Sequence, residues 1–366
     1  MDSTVVLWIV VGTALAFDFT NGFHDTANSV ATSISTRALS PKLAVSIAAV
    51  LNFAGAFLSL AVAATIATGI VDATLVTPAI VFAGLVGAIT WNLATWYFGL
   101  PSSSSHALIG GVVGAAFVAE GASAVYGSGL IDKVIVPALV APLLAFVAGG
   151  LAILVAYRIV GRQRPGPVAR GFRLGQVVSA SLLALSHGMN DAQKTMGIIF
   201  LALVANGSLA ADADVPTWVI VSAAGAIALG TYVGGWRIIR TMGSRIIKMD
   251  PAQGFAAQGV GAAVIMAASH VGFPLSTTHV ISGAIMGTGA AKRVSAVRWG
   301  VAGNIVIAWV LTLPASAAVG GLTYAVVWVL GVDGVGPLVV TVVLVAALAV
   351  TLVRRLVAGR TLTAEG

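Results

Sequence analysis

The chain has 366 residues, of which 58% are hydrophobic, 8% are charged and none is cysteine. Soluble domains carry about a quarter charged residues, so this composition, with a mean hydropathy of +1.02, excludes a soluble protein and indicates an all-α polytopic membrane protein. The missing cysteines exclude disulfides, thiolate metal sites and cysteine nucleophiles, and the net charge of +7 lies almost wholly in short loops, which marks membrane orientation and gives no surface for nucleic acid.

Segments of about 18 or more apolar residues are long enough to span. They fall at 4–36, 43–70, 79–98, 102–119, 134–157, 174–204, 217–236, 254–271, 272–291, 299–329 and 336–353, eleven within an expected ten to twelve. Those at 102–119 and 272–291 can each be read as a re-entrant hairpin plus a span. The first 17 residues lack a basic n-region and an A-x-A site, so they are expected to belong to the first span and not to a cleaved signal. Arg37 and Lys42, Arg158 to Arg173, Arg237 to Lys248, Lys292 to Arg298, and Arg354, Arg355 and Arg360 mark inner loops and tail. Asp72, Glu120, Asp132, Asp212, Asp214 and Asp333 mark the outer ones. This places the chain in the plasma membrane with its N-terminus outside and its C-terminus cytoplasmic. The expected division is a first membrane repeat at 1–160, a basic cytoplasmic linker at 161–173, a second repeat at 174–330, and a final transmembrane helix with a short tail at 331–366.

Two polar runs interrupt this apolar background, and each occurs twice. GFHDTANSVAT (22–32) aligns with GMNDAQKTMG (188–197), pairing Gly22 with Gly188, Asp25 with Asp191, Asn28 with Lys194 and Ser29 with Thr195. PSSSSH (101–106) aligns with PLSTTH (274–279). In both cases the copies lie five spans apart, and an odd number of spans reverses direction. Two inverted-topology repeats with broken, polar segments at corresponding places are the architecture of secondary transporters, whose sites lie between the repeats.

In each Pro-Ser/Thr-His run the proline presets a first helical turn, hydroxyls cap its free N–H groups, and the helix start is a ready anion site. Ser102, Ser103, Ser104 and Ser105, with Ser276, Thr277 and Thr278, are therefore candidate anion ligands, joined by the amides of Asn28 and Asn190 and by Lys194. A lone membrane serine ordinarily bonds back to its own backbone; four in a row after a proline, duplicated, argue for more. Asp25 and Asp191 accept and cannot donate when ionised, which suits a coupling cation, H⁺ or Na⁺, with Asn21, Thr26, Ser29 and Thr195 adding oxygens. The competing reading is a carboxylate satisfied by a structural hydrogen bond. His24, His106, His187, His270 and His279 follow no HExxH spacing, so no metal site is assigned from them. Asp18 faces an alanine, Ala184, in the second copy and has no assigned role.

These four runs, in this order, resemble the signature sequences of the inorganic phosphate transporter (PiT) family, over essentially the whole chain. The resemblance implies a phosphate symporter and no enzymatic activity or cofactor, with Asp25, Asn28, Asp191, Ser103, Ser104, Thr277 and Thr278 at the site. It departs from sodium-coupled members, which resemble G-A-N-D in both halves, where this chain has Gly22-Phe23-His24-Asp25 and Gly188-Met189-Asn190-Asp191. The G-F-H-D form is similar to bacterial members that run on protons and carry phosphate as a neutral divalent-metal complex. Membrane lipid is a further expected partner, and a homodimer stays open. Two other classes compete: an intramembrane aspartyl protease, which lacks its G-x-G-D context here, and an anion channel, whose permeant two buried carboxylates would repel.

Overall fold

The computed structural model describes residues 3–364, the side chains of 3, of 348 and of 351 onward excepted, so the tail arginines Arg354, Arg355 and Arg360 lie outside the described side chains. The helices are α1 (Ser3–Ser35), α2 (Pro41–Gly55), α3 (Ala61–Thr68), α4 (Pro78–Phe98), α5 (Ser104–Glu120), α6 (Gly127–Leu130), α7 (Val136–Val160), α8 (Pro165–Ala205), α9 (Thr217–Val233), α10 (Trp236–Arg240), α11 (Pro251–His270), α12 (Thr277–Lys292), α13 (Trp299–Leu330) and α14 (Val335–Ala364). A single bridge between Val71 and Val125 is the one β contact among the described residues.

The apolar segments are largely helical, yet among the described residues only Thr4–Ser35, Pro78–Phe98, Gly127–Val160 and Trp299–Leu330 are by themselves long and apolar enough to cross a membrane, with Thr217–Val233 and Trp236–Arg245 forming a fifth span bent by 58°. The rest fall short for two reasons. In α8 the apolar run is diluted by Gln176, His187, Asn190, Asp191, Gln193 and Lys194, all buried against protein, where polar groups in a membrane belong. In the first half a helix also stops early. Residues 43–70, expected as one segment, split into α2 and α3 around 56–60. The new helix start is satisfied from the other half of the chain: Gln193 Oε1 accepts from the Val62 and Ala63 amides at 2.8 and 3.2 Å, supplying partners that a helix N-terminus otherwise lacks. Nor do 102–119 and 272–291 contain a hairpin plus a span. Each is an extended turn followed by one helix, whose first N–H groups are capped by Ser103 and Ser276. Most of the basic stretch 161–173 is the opening of α8, because Pro165 sits in the first turn, where its missing N–H costs nothing.

Two repeats are evident in how the helices pair. α5 packs on α13 and α12 on α7, α1 on α9 and α8 on α2, so each repeat stores its elements against the other. Gly114 lies against the Ala317 carbonyl and Gly287, its equivalent, against that of Phe146; the missing side chains let the helices approach closely. The equivalent helices α1 and α8 cross antiparallel. Thr36, after the end of α1, donates to Gln176 near the start of α8 at 2.6 Å, Asp25 meets His187 and Asp191 midway, and Asp18 meets Thr195 further back. Trp8 and Trp218 pair with their rings tilted at 45° and 5.8 Å apart on the exposed rim, as interfacial tryptophans do. Trp91 instead turns inward and donates to Thr312 at 3.0 Å.

At the loop face, Asp250 caps α11 in a reciprocal box with Gln253 and accepts from Tyr157 at 2.7 Å and Lys292 at 3.0 Å, which ties α7, α11 and α12 together. Burial pushes the Asp250 carboxyl up, but the bonds from Tyr157, the Gln253 amide and Lys292 outweigh it and hold it below the usual range. A depressed carboxyl contributes stability above its unfolded-state pKa and loses it as pH falls through the folded value. Asp250→Ala is therefore expected to lower stability by about 1 kcal/mol, as cap removal does, near neutral pH and much less at about pH 3, read as thermal unfolding of detergent-solubilised protein at both pH values.

Candidate functional site

The site forms where α1 and α8 cross and the N-termini of α5 and α12 meet. Each carboxylate stands beside an imidazole. His24 Nδ1 lies 2.6 Å from Asp25 Oδ1, and His187 Nε2 lies 2.9 Å from Asp191 Oδ2, in ion-pair range but off good hydrogen-bond geometry. Lys194 donates to Asp191 Oδ1 and Ser105 Oγ, and to the Leu275 carbonyl at 2.9 Å. Thr277 donates to Asp191 Oδ2 at 3.2 Å and Thr278 to Asp25 Oδ1 at 3.4 Å.

The two repeats reach across to each other in the same way. Asn28 Nδ2 donates to Thr277 and Thr278 at 3.1 and 2.9 Å, while its equivalent Lys194 holds Ser105, the equivalent of Thr278. His24 Nε2 is 3.0 Å from Thr95 Oγ, and Asn190, its equivalent, donates to Ser269 at 2.7 Å. Every one of these side chains is buried, so the site is shielded from solvent. In a low dielectric its charges act strongly on one another.

Not all the expected residues converge. Ser103 and Ser276 spend their hydroxyls on the His106 and His279 amides as helix caps. Ser102 donates to Thr95 at 2.8 Å, Ser105 to the Leu275 carbonyl, and Ser104 Oγ stands 3.5 Å from His24 Nδ1. Thr26 turns to backbone, donating to the Gly22 carbonyl at 2.6 Å. Asn21 and Thr195 flank Asp18, and Ser29 Oγ is buried without a partner. Residues with no assigned role also enter: Thr95 and Ser269 anchor His24 and Asn190, and Asn52 bonds Thr231 at 2.8 Å and sits 3.2 Å from His187. At the offset that pairs Pro101 with Pro274, Thr95 falls opposite Ala268 and not Ser269, so the repeat itself gives no signal for the first two.

Asp25, His187 and Asp191 bring one ligand atom each within 4.8 Å of one another, a set of two hard oxygens and an imidazole that can hold a divalent cation. His106 and His279 take no part in it. Their rings meet edge to face at 4.8 Å, His279 stacks on Trp309 at 4.0 Å, and both line an apolar cavity of about 410 Å³ with Pro142 and Met286.

With two hydroxyl-bearing helix starts beside two buried carboxylates, the arrangement offers donors that suit an anion and oxygens that suit a cation. Comparison with known proteins gives the family. A "Probable low-affinity inorganic phosphate transporter" from Mycobacterium tuberculosis is 57% identical over 89% of this chain and 78% of its own length. One of the same description from Bacillus subtilis is 47% identical over 88% of this chain and 98% of its own. A solved structure, "The sodium-dependent phosphate transporter", superposes with a TM-score of 0.75 at 25% identity, covering 89% of this chain and 98% of that one. Residues 21–170 and 161–320 each match the Phosphate transporter family, one match per repeat. The chain belongs to the phosphate transporter family: it is a multi-pass membrane protein that moves phosphate and not a catalyst.

Proposed function

We propose that the protein is a symporter that takes up inorganic phosphate, with the anion held between the starts of α5 and α12 and the coupling cation held by Asp25 and Asp191. One observation carries this reading: two helix N-termini from equivalent places in the repeats converge on two buried carboxylates. Free backbone N–H groups and hydroxyls suit phosphate, whereas carboxylates repel it unless a cation travels too. A divalent ion at Asp25, His187 and Asp191 would allow phosphate to cross as a neutral complex.

Each carboxylate has an imidazole beside it, a pair between which a proton can pass, so the proton is the favoured driving ion. Na⁺ coupling is the second reading, favoured by the sodium-dependent solved relative. The loop charges favour an outside N-terminus and a cytoplasmic C-terminus. Proteoliposome uptake of labelled phosphate separates the readings: a pH gradient, inside alkaline, is expected to drive accumulation without Na⁺. Accumulation that needs Na⁺ and ignores pH transfers the coupling to Na⁺, and uptake that dissipates to equilibrium under both gradients discards symport.

A further inference from the structure

Two charged residues of the site have uncharged counterparts in the other repeat: Lys194 where the first repeat has Asn28, and Asp18 where the second has Ala184. The lysine is fully used by Asp191, Ser105 and Leu275. Asp18 is not. It is 0% exposed, and neither carboxylate oxygen receives a well-formed hydrogen bond. Asn21, one turn along α1, and Thr195, across the crossing on α8, stand beside it as loosely placed donors. Asn21 Oδ1 and Thr195 Oγ are themselves buried and unpartnered.

These orphans are all oxygens, and their chemistry identifies the missing partner. An ionised carboxylate buried without compensation is among the most costly groups a protein can carry. No cation of the protein reaches it, since His24 stands on Asp25 and His187 on Asp191. Hard oxygen donors select a hard cation. A single carboxylate, with Asp191 and Lys194 acting on it at longer range and with opposite sign, neutralises one positive charge and not two.

We propose that Asp18, Asn21 Oδ1 and Thr195 Oγ form a binding site for Na⁺, separate from the imidazole-paired carboxylates. Because Asn21 and Asp18 lie on α1 and Thr195 on α8, an ion there joins the first helices of the two repeats. The site does not depend on which ion drives transport, so it can be tested without phosphate.

The test is thermal unfolding of the purified protein in detergent, in phosphate-free choline chloride, with NaCl titrated in. Wild-type Tm is expected to rise saturably with Na⁺ and not with added choline. Loss of a charged ligand weakens binding at least about tenfold, so Asp18→Asn should need at least about tenfold more Na⁺ for the same shift, with Thr195→Val weakened in the same direction. Should Asp18→Asn fail to fold, Thr195→Val carries the test alone. An unchanged Na⁺ response in the variants, no response in the wild type, or a Tm that follows pH and not Na⁺ would each overturn the site.

Discussion

Asp25→Asn and Asp191→Asn are each expected to abolish uphill phosphate accumulation while leaving phosphate-for-phosphate exchange measurable. Asparagine keeps the shape and still offers an oxygen to Thr278 or Thr277, which bond these carboxylates in the native protein, but it cannot take up and release a proton. A pH gradient of one unit is worth about 1.4 kcal/mol, roughly a tenfold concentration ratio per proton carried. A variant that no longer carries it settles at equal concentrations inside and out. Counterflow needs only that the site exchange its phosphate on either side. Measuring gradient-driven uptake and counterflow in the same proteoliposomes therefore separates coupling from binding: loss of both points to a binding or folding role, and full accumulation by both variants removes the carboxylates from coupling.

Lys194→Met is expected to cost about 3–5 kcal/mol of stability, the range seen when one partner of a buried ion pair is removed. The ammonium is buried and holds Asp191, Ser105 and the Leu275 carbonyl at once, so its loss strands the Asp191 charge and leaves Ser105 and Leu275 only the bond they make to each other. Lys194→Met combined with Asp191→Asn should recover much of that cost, since no uncompensated charge is then left. The double-mutant cycle in detergent melts gives the coupling directly. Additive losses would show that the lysine and the carboxylate do not depend on each other.

The duplicated runs made the crossing of α1 and α8 and the starts of α5 and α12 legible in the sequence, because each run is a local pattern seen twice. What stayed hidden depends on contacts made across the fold. The break between α2 and α3 falls in Ala56-Phe57-Leu58-Ser59-Leu60, with no proline and no charge to signal it, and it is stabilised by Gln193 from the other repeat. The break after α9 is more readable, since Gly234 takes a φ of 75° that other residues avoid. Thr95 looks like any hydroxyl bonding back to its own helix, which it also does; only the arrival of His24 makes it part of the site. Among the candidate ligands, Ser103 and Ser276 could not be told from their neighbours until the helix start was fixed at the following residue.

The exchange of packing partners between repeats bears on how the protein is made. During synthesis α5 emerges with its close-packing glycine face bare and stays so until 299–330 exist to cover it, and α12 then has to dock on an α7 already in place. Contacts this distant along the chain are slow to form, and intermediates that await them expose surface meant for burial. The first half is thus no folding unit. Produced as separate chains, the two halves should survive only when co-expressed, and a first half that is stable alone would mean that the newborn chain settles its helices differently before its partner arrives.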